Sequence, residues 1–185
     1  IDFKKVMDDL LAWEGPKLKV LKITGFGEPF LNDCAADMMS MAKKLDIAER
    51  VETTTNASLI APDVAQKLVE SGIDYLRISI YAVSQERHEK FTGNPIKVET
   101  IRRNIETLRS LRDSQGLKKP FIYVKMLDCA DESERNKFFD MYSGIADEIS
   151  LESVHRWLDG GTRDGKMVCP QPFKMLTVRV NGAIT

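Results

Sequence analysis

Cysteine is scarce. The 185 residues contain three, Cys34, Cys129 and Cys169, with no CxxC or CxxxC spacing among them. An odd number at wide separation excludes a disulfide framework and leaves no self-contained metal site. Histidine is scarcer still, with only His88 and His155. No charge of one sign dominates: 27 Lys and Arg stand against 28 Asp and Glu, a net charge of −1. That balance removes electrostatic support for a nucleic-acid partner or an anionic membrane surface. No apolar run approaches the roughly 18–20 residues that cross a bilayer, and no secretory signal opens the chain. The expected location is the cytoplasm. The chain opens on Ile1 and stops at Thr185, so a fragment of a longer protein is expected.

Apolar content of 43% and charged content of 30% are those of an ordinary globular protein. Residues 2–13 place Phe3, Val6, Leu10 and Trp13 at helical spacing, and Gly15-Pro16 stops that helix. A strand is expected at 18–24 and a helix at 33–46, whose methionines read as core packing. A β-branched strand around 50–54 precedes a helix starting at Pro62 and stopping at Gly72. Tyr75 to Ile80 is a third strand. A polar loop containing a solvated His88 then leads to a helix striped by Val98, Ile101, Ile105, Leu108 and Leu111. Residues 120–127 and 148–154 are strands around a helix at 132–143. Strands alternating with helices predict an α/β fold with a parallel sheet and right-handed crossovers, of barrel or doubly wound type. The Gly-rich segment 159–165 reads as a linker. The alternation from Met175 to Val180 entering Asn181-Gly182 predicts a β-hairpin.

One stretch organises the chain. The strand Leu18–Ile23 breaks into Thr24-Gly25-Phe26-Gly27-Glu28-Pro29. Glycines allow a sharp turn and close approach of a ligand, and Pro29 keeps Glu28 out of helical geometry. Parallel α/β proteins bind ligands at that end of their strands. The next strand ends in Thr53-Thr54-Thr55-Asn56-Ala57, and the one after in Ile78-Ser79-Ile80-Tyr81-Ala82.

These three strand ends, in this order, resemble the core of radical S-adenosylmethionine (radical SAM) enzymes, with their GGEP-, TNG- and SLD-type motifs. The segment Cys169-Pro170-Gln171-Pro172-Phe173, followed by Asn181-Gly182, resembles the opening of a SPASM or twitch extension. That branch includes relatives of molybdenum-cofactor-biosynthesis and sulfatase-maturing enzymes. The resemblance implies a partial (β/α)6-type, TIM-like barrel over residues 1–157, a linker at 158–168 and the start of an auxiliary-cluster extension at 169–185. It implies S-adenosylmethionine as cofactor, cleaved reductively at a 4Fe–4S cluster to give a 5′-deoxyadenosyl radical that abstracts a substrate hydrogen. It further implies an electron donor such as flavodoxin or ferredoxin, and the extension suggests a peptide or protein side chain as substrate, with a small metabolite or sugar still open.

Carried onto this sequence, Gly25, Phe26, Gly27 and Glu28 would meet the methionine amino group, the carboxylate suiting an ammonium-type donor. Thr55 or Thr54, with Asn56, would contact the methionine side. Ser79 would bond the ribose or carboxylate, and Arg103 or Arg102 the carboxylate. Lys125, Met126 and Leu127 would flank the adenine, and Cys169 would be the first ligand of an auxiliary cluster. His155, Trp157, Asp128 and Cys129 fall where a barrel mouth would be. Phe26 stands where the family has a second glycine, Ala57 where TNG has its glycine, and Tyr81 where an Asp is common. The CxxxCxxC loop is absent, so no cluster and no catalysis are expected of this chain alone. Two rival readings remain open: a non-radical aldolase-type barrel using Lys125 as a Schiff-base lysine, and a non-catalytic scaffold.

Overall fold

The computed structural model describes residues 2–25, 27–129, 131–152 and 174–185. Phe26, His155, Trp157, Cys169 and the expected linker at 158–168 lie outside the described residues. The element order is α1 (Phe3–Leu11), β1 (Leu18–Lys22), a 3-10 turn (Pro29–Leu31), α2 (Ala35–Lys44), β2 (Ala48–Thr55), α3 (Pro62–Ser71), β3 (Tyr75–Ile80), α4 (Gln85–Thr92), α5 (Val98–Ser114), β4 (Phe121–Leu127), α6 (Glu132–Tyr142) and β5 (Glu148–Glu152). The strands form one sheet in the order β1-β2-β3-β4-β5, every neighbouring pair parallel. This is the α/β arrangement of a partial barrel.

Local chemistry sets the ends of these elements. The Asp2 carboxylate accepts the Lys4 N–H at 2.9 Å and caps α1, and Asp131 accepts the Glu134 N–H at 3.2 Å and caps α6. Gly72, with φ 69°, closes α3 in the left-handed region. The polar segment expected to be a loop is instead helix α4, with Gly93 (φ 63°) ending it. Its N-terminus has no local side-chain cap. Glu134 of α6, about fifty positions downstream, supplies one by accepting the Val83 N–H at 2.7 Å and the Ser84 N–H at 3.1 Å. Nothing near α4 in sequence announces that partner.

The sheet has two unlike faces. Leu76, Ile78, Ile80, Ile122, Val124 and Met126 are buried against helices α3, α5 and α6 in the main core. Each such side chain contributes about 1.5–3 kcal/mol by leaving water. A second cluster joins Met7 of α1 and Ala42 of α2 to Val51. The opposite, inner face is polar. There Glu52 is 1% exposed and lies 3.1 Å from Lys22, 2.9 Å from Arg50 and 3.6 Å from Arg77. Arg50 and Arg77 each lie 5.4 Å from the Tyr75 ring centre, and Tyr75 stacks on Phe121 at 5.2 Å. This ladder crosses β1 to β4 beneath the strand ends. Two carboxylates, Asp74 buried and Asp147 partly open, lock the sheet from its other end. Asp74 accepts Lys43, Lys119 and the Val51 N–H, and Asp147 accepts Arg112 and the Ile122 N–H. Near the C-terminus, Thr177 pairs with Thr185 and Arg179 with Ala183 around Asn181-Gly182, as the alternation predicted.

Candidate functional site

The C-terminal ends of β1 and β2 are joined by one side chain. The Glu28 carboxylate accepts the Thr55 hydroxyl at 2.6 Å, the Asn56 N–H at 2.7 Å and the Phe30 N–H at 3.2 Å. Thr55 Oγ1 in turn accepts the Ala57 N–H at 2.9 Å. Asn56 Oδ1 accepts the Ser58 N–H at 2.9 Å, an Asx turn that curls the segment back. Pro29 places Glu28 at φ −105° and ψ 120°, extended enough for its side chain to reach β2. The two motifs separated by 27 residues thus become one rigid unit.

That unit changes the role expected for Glu28. A carboxylate has about four acceptor sites, and three are taken by the chain's own donors. The group ties the Gly-rich turn to β2 and keeps about one acceptor site for any further donor. The open part of the turn is its backbone. A Cβ built on Gly25 or Gly27 meets nothing within 4 Å, and Gly27 has φ +95°. Gly25 and Gly27 thus leave space at the end of a parallel strand.

The other expected residues separate by sheet face. Thr55 is buried on the helix side and bonds Glu28, whereas Thr54 pairs in register with Arg77 and faces inward. Ser79 is on the same inner face, half-buried, paired in register with Lys125. Strand alternation sends the Met126 side chain into the helix-side core, 2% exposed, which leaves its backbone at the strand end. Arg103 is a correction, being exposed on the outer surface of α5. Arg102 pairs with Glu99 and Glu106 on its own helix. The inward residue of that turn is Asn104, whose Nδ2 donates to the Ala57 carbonyl at 2.9 Å and the Ser58 carbonyl at 3.3 Å. An Asn between Ile101 and Ile105 on the apolar stripe was the readable signal for it.

Ala57 adopts φ 59° and is fully buried. The left-handed conformation that normally calls for glycine survives the replacement, held by Thr55 and Asn104. His88, expected in solvent, is a second correction. Formation of α4 turns it inward to 4% exposure, and burial pushes its imidazole pKa down, against a smaller upward pull from Glu89. Lys125 Nζ lies 2.7 Å from Glu152 across β4 and β5, so the amine required by a Schiff-base reading is already engaged. Asp128 pairs with Arg135 at 3.6 Å, and Cys129 is half-buried with its thiol toward the Asp131 carbonyl.

The described cysteines do not fit an iron–sulfur cluster. Cys34 is exposed at the start of α2 and Cys129 follows β4. Among the described residues no three of His, Cys, Asp and Glu stand close enough to hold a metal ion. No described helix is long and apolar enough to cross a membrane.

The chain is 32% identical over 136 residues to a probable GTP 3′,8-cyclase of Saccharolobus solfataricus, covering 73% of this chain and 41% of that protein. It is 28% identical over 125 residues to the tungsten-containing aldehyde ferredoxin oxidoreductase cofactor-modifying protein of Pyrococcus furiosus, covering 68% of this chain and 34% of the relative. The chain therefore spans about two fifths or less of the length of these relatives. The crystal structure of Streptococcus suis SuiB bound to S-adenosylmethionine superposes with a TM-score of 0.58 at 16% identity, over 74% of this chain and 30% of that one. At that identity the likeness concerns the fold. The family model of the radical SAM superfamily matches residues 2–118, a span that holds the Gly-rich turn, its Glu28 tie to β2 and the serine strand, and the chain belongs to that superfamily.

Proposed function

We propose that this chain provides the wall that holds S-adenosylmethionine in a radical enzyme. The observation that carries the reading is the Glu28 tie, which joins the turn bearing the open Gly25 and Gly27 positions to the end of β2. Members of the superfamily use S-adenosylmethionine with a 4Fe–4S cluster. The bound cofactor supplies a 5′-deoxyadenosyl radical for hydrogen abstraction, and the chain's residues orient it and keep water away. Gly25 and Gly27, with Phe26 between them, present carbonyls to the methionine ammonium. Glu28 and Thr55 hold that turn in place. Thr54 and Ser79 offer side-chain polar groups to the carboxylate and ribose, and Asn56 steadies the site through its N–H to Glu28. The cluster finds no ligand set among the described residues, so no step is assigned to it here.

Residues 1–157 are the barrel core in this reading, 158–168 a linker and 169–185 the beginning of a SPASM- or twitch-type extension with Cys169 as a cluster ligand. A peptide or protein side chain as substrate, flavodoxin or ferredoxin as reductant and a cytoplasmic location complete it. The names of the relatives point instead to a nucleotide or an enzyme cofactor. The Lys125–Glu152 pair argues against the aldolase alternative.

Equilibrium dialysis with radiolabelled S-adenosylmethionine tests the cradle without requiring turnover. Gly27→Val, which adds a β-branched side chain at positive φ on the open edge, is expected to weaken binding at least about tenfold, or roughly 1.4 kcal/mol. Ser79→Ala, a milder change, should weaken it by about two- to tenfold, the worth of one hydrogen bond. Unchanged binding in both variants overturns the assignment.

A further inference from the structure

Beside the cradle lies a pocket of about 300 Å³ between the loop after β2, the loop after β3 and helix α4. Its volume is at the small end of the range for small-molecule sites, roughly 300–1,000 Å³. His88 lines it at 4% exposure, and neither ring nitrogen has a hydrogen-bond partner. Buried polar groups are almost always paired, so an unpaired imidazole at a cavity wall marks a place where a partner belongs. The helix that carries it is held firmly. Glu134 caps its N-terminus, and Thr92 Oγ1 donates to the His88 carbonyl at 2.7 Å.

The lining defines the chemistry of that partner. Among the described residues no Asp, Glu, Lys or Arg contributes to it, which suits an uncharged occupant. Asn56 spends its Oδ1 on the Ser58 N–H and Asn94 spends its own on the Ile96 N–H, leaving both Nδ2 groups as donors. Burial keeps the imidazole neutral near pH 7, with one donor and one acceptor. Donors therefore predominate, and they call for carbonyl oxygens. Tyr81 and Phe91, 49% and 60% exposed, form an aromatic rim, with the Arg87 guanidinium bracing the Phe91 ring at 5.8 Å. Exposed rings at a pocket mouth suit a flat group.

We propose that this pocket is a substrate subsite for an uncharged, planar, carbonyl-bearing group, with His88 as its hydrogen-bonding partner. The inference rests on the reading of the strand ends as the S-adenosylmethionine cradle, because Asn56 gives its N–H to Glu28 and its side chain to the pocket. A group seated here lies next to the methionine end of the cofactor. Such a group comes either from a heteroaromatic base or from a peptide amide, and both are tested.

The chain labelled with 15N-histidine is titrated with uridine and, separately, with N-acetylglycinamide. The His88→Leu variant identifies the resonances of that ring. Saturable movement of the His88 ring nitrogens is expected with one probe, and which probe acts distinguishes base from amide. Phe91→Ala, at an exposed rim position, should weaken that probe at least about fivefold. Absence of movement with both probes overturns the proposal, because water then suffices as the partner of His88. Binding that persists unchanged in both variants also overturns it. S-adenosylmethionine binding is measured in the same samples. If the cofactor binds and the probes do not, only the subsite falls. If the probes bind and the cofactor does not, the cradle reading falls, and with it the assignment of the pocket to a radical enzyme's substrate.

Discussion

Removing the Glu28 carboxylate should cost the protein more stability than its half-buried position suggests. In Glu28→Ala, the Thr55 hydroxyl and the Asn56 N–H lose acceptors at 2.6 and 2.7 Å, and the Phe30 N–H loses a longer one at 3.2 Å. A hydrogen bond to a charged group contributes about 1.5–3 kcal/mol. The first two bonds dominate, and water entering the half-open site replaces part of them, so the expected loss is about 3–4 kcal/mol. Against a total stability of roughly 5–15 kcal/mol, that is a large share. It corresponds to a fall in Tm of about 6–16 °C at roughly 2–4 °C per kcal/mol for a chain of this size. Glu28→Gln keeps one acceptor oxygen and should lose about half as much. Urea denaturation followed by far-UV circular dichroism measures both variants. A double-mutant cycle with Thr55→Val isolates the tie, and a coupling of at least about 1 kcal/mol is expected for groups in direct contact. A Glu28→Ala variant within about 0.5 kcal/mol of the parent, or zero coupling to Thr55, would refute the idea that this carboxylate joins the two strand ends.

Ala57→Gly should be close to neutral, within about 1 kcal/mol. It relieves a left-handed conformation that costs roughly 1–2 kcal/mol, but loses a fully buried methyl worth about 0.8 kcal/mol and adds chain entropy worth roughly 0.5–1 kcal/mol. A gain above about 2 kcal/mol by denaturant titration would show that backbone strain outweighs the packing. Acid should destabilise the fold through Asp74 and Asp147. Burial alone would raise these two carboxyls, but Lys119 and Lys43 around Asp74, and Arg112 and the Ile122 N–H around Asp147, outweigh it and hold both below the usual range. A depressed folded pKa contributes stability above the unfolded value of about 3.9, and that contribution is lost as pH falls through the folded value. Stability from these pairs should stay level from neutral pH to about 5 and decline below about 4. In Asp74→Asn the acid slope should flatten and the stability at pH 7 should be lower; an unchanged slope contradicts the assignment.

Much of the fold could be read in advance because its signals are local. The stripe Val98, Ile101, Ile105, Leu108 marks α5 within one helix, and Gly72 marks the end of α3 within one residue. The three strand-end motifs were equally visible, since each follows directly from a strand of apolar or β-branched residues. His88 was misplaced for a related reason. The segment 85–92 is too polar for its periodicity to show, and the cap that secures it, Glu134, comes from another helix. Arg103 was misjudged by one position: on a helix, a shift of one residue exchanges the inward face for the outward one, which is why Asn104 reaches the Ala57 loop and Arg103 does not.

Apart from α4, the order of helices and strands, the parallel α/β class and the family to which the chain belongs were determined by the sequence alone, because hydrophobic period, turn residues and motif order are properties of short stretches. Tertiary structure decided what those motifs do. Gly25–Glu28 and Thr55–Asn56 are separate turns along the chain, and only the stacking of β1 on β2 brings a carboxylate within 2.6–2.7 Å of its two main donors. The same stacking commits that carboxylate to the chain's own donors, leaves the glycine backbone open and opens the pocket beside His88. Such consequences depend on distances between residues tens of positions apart, which periodicity and propensity do not encode.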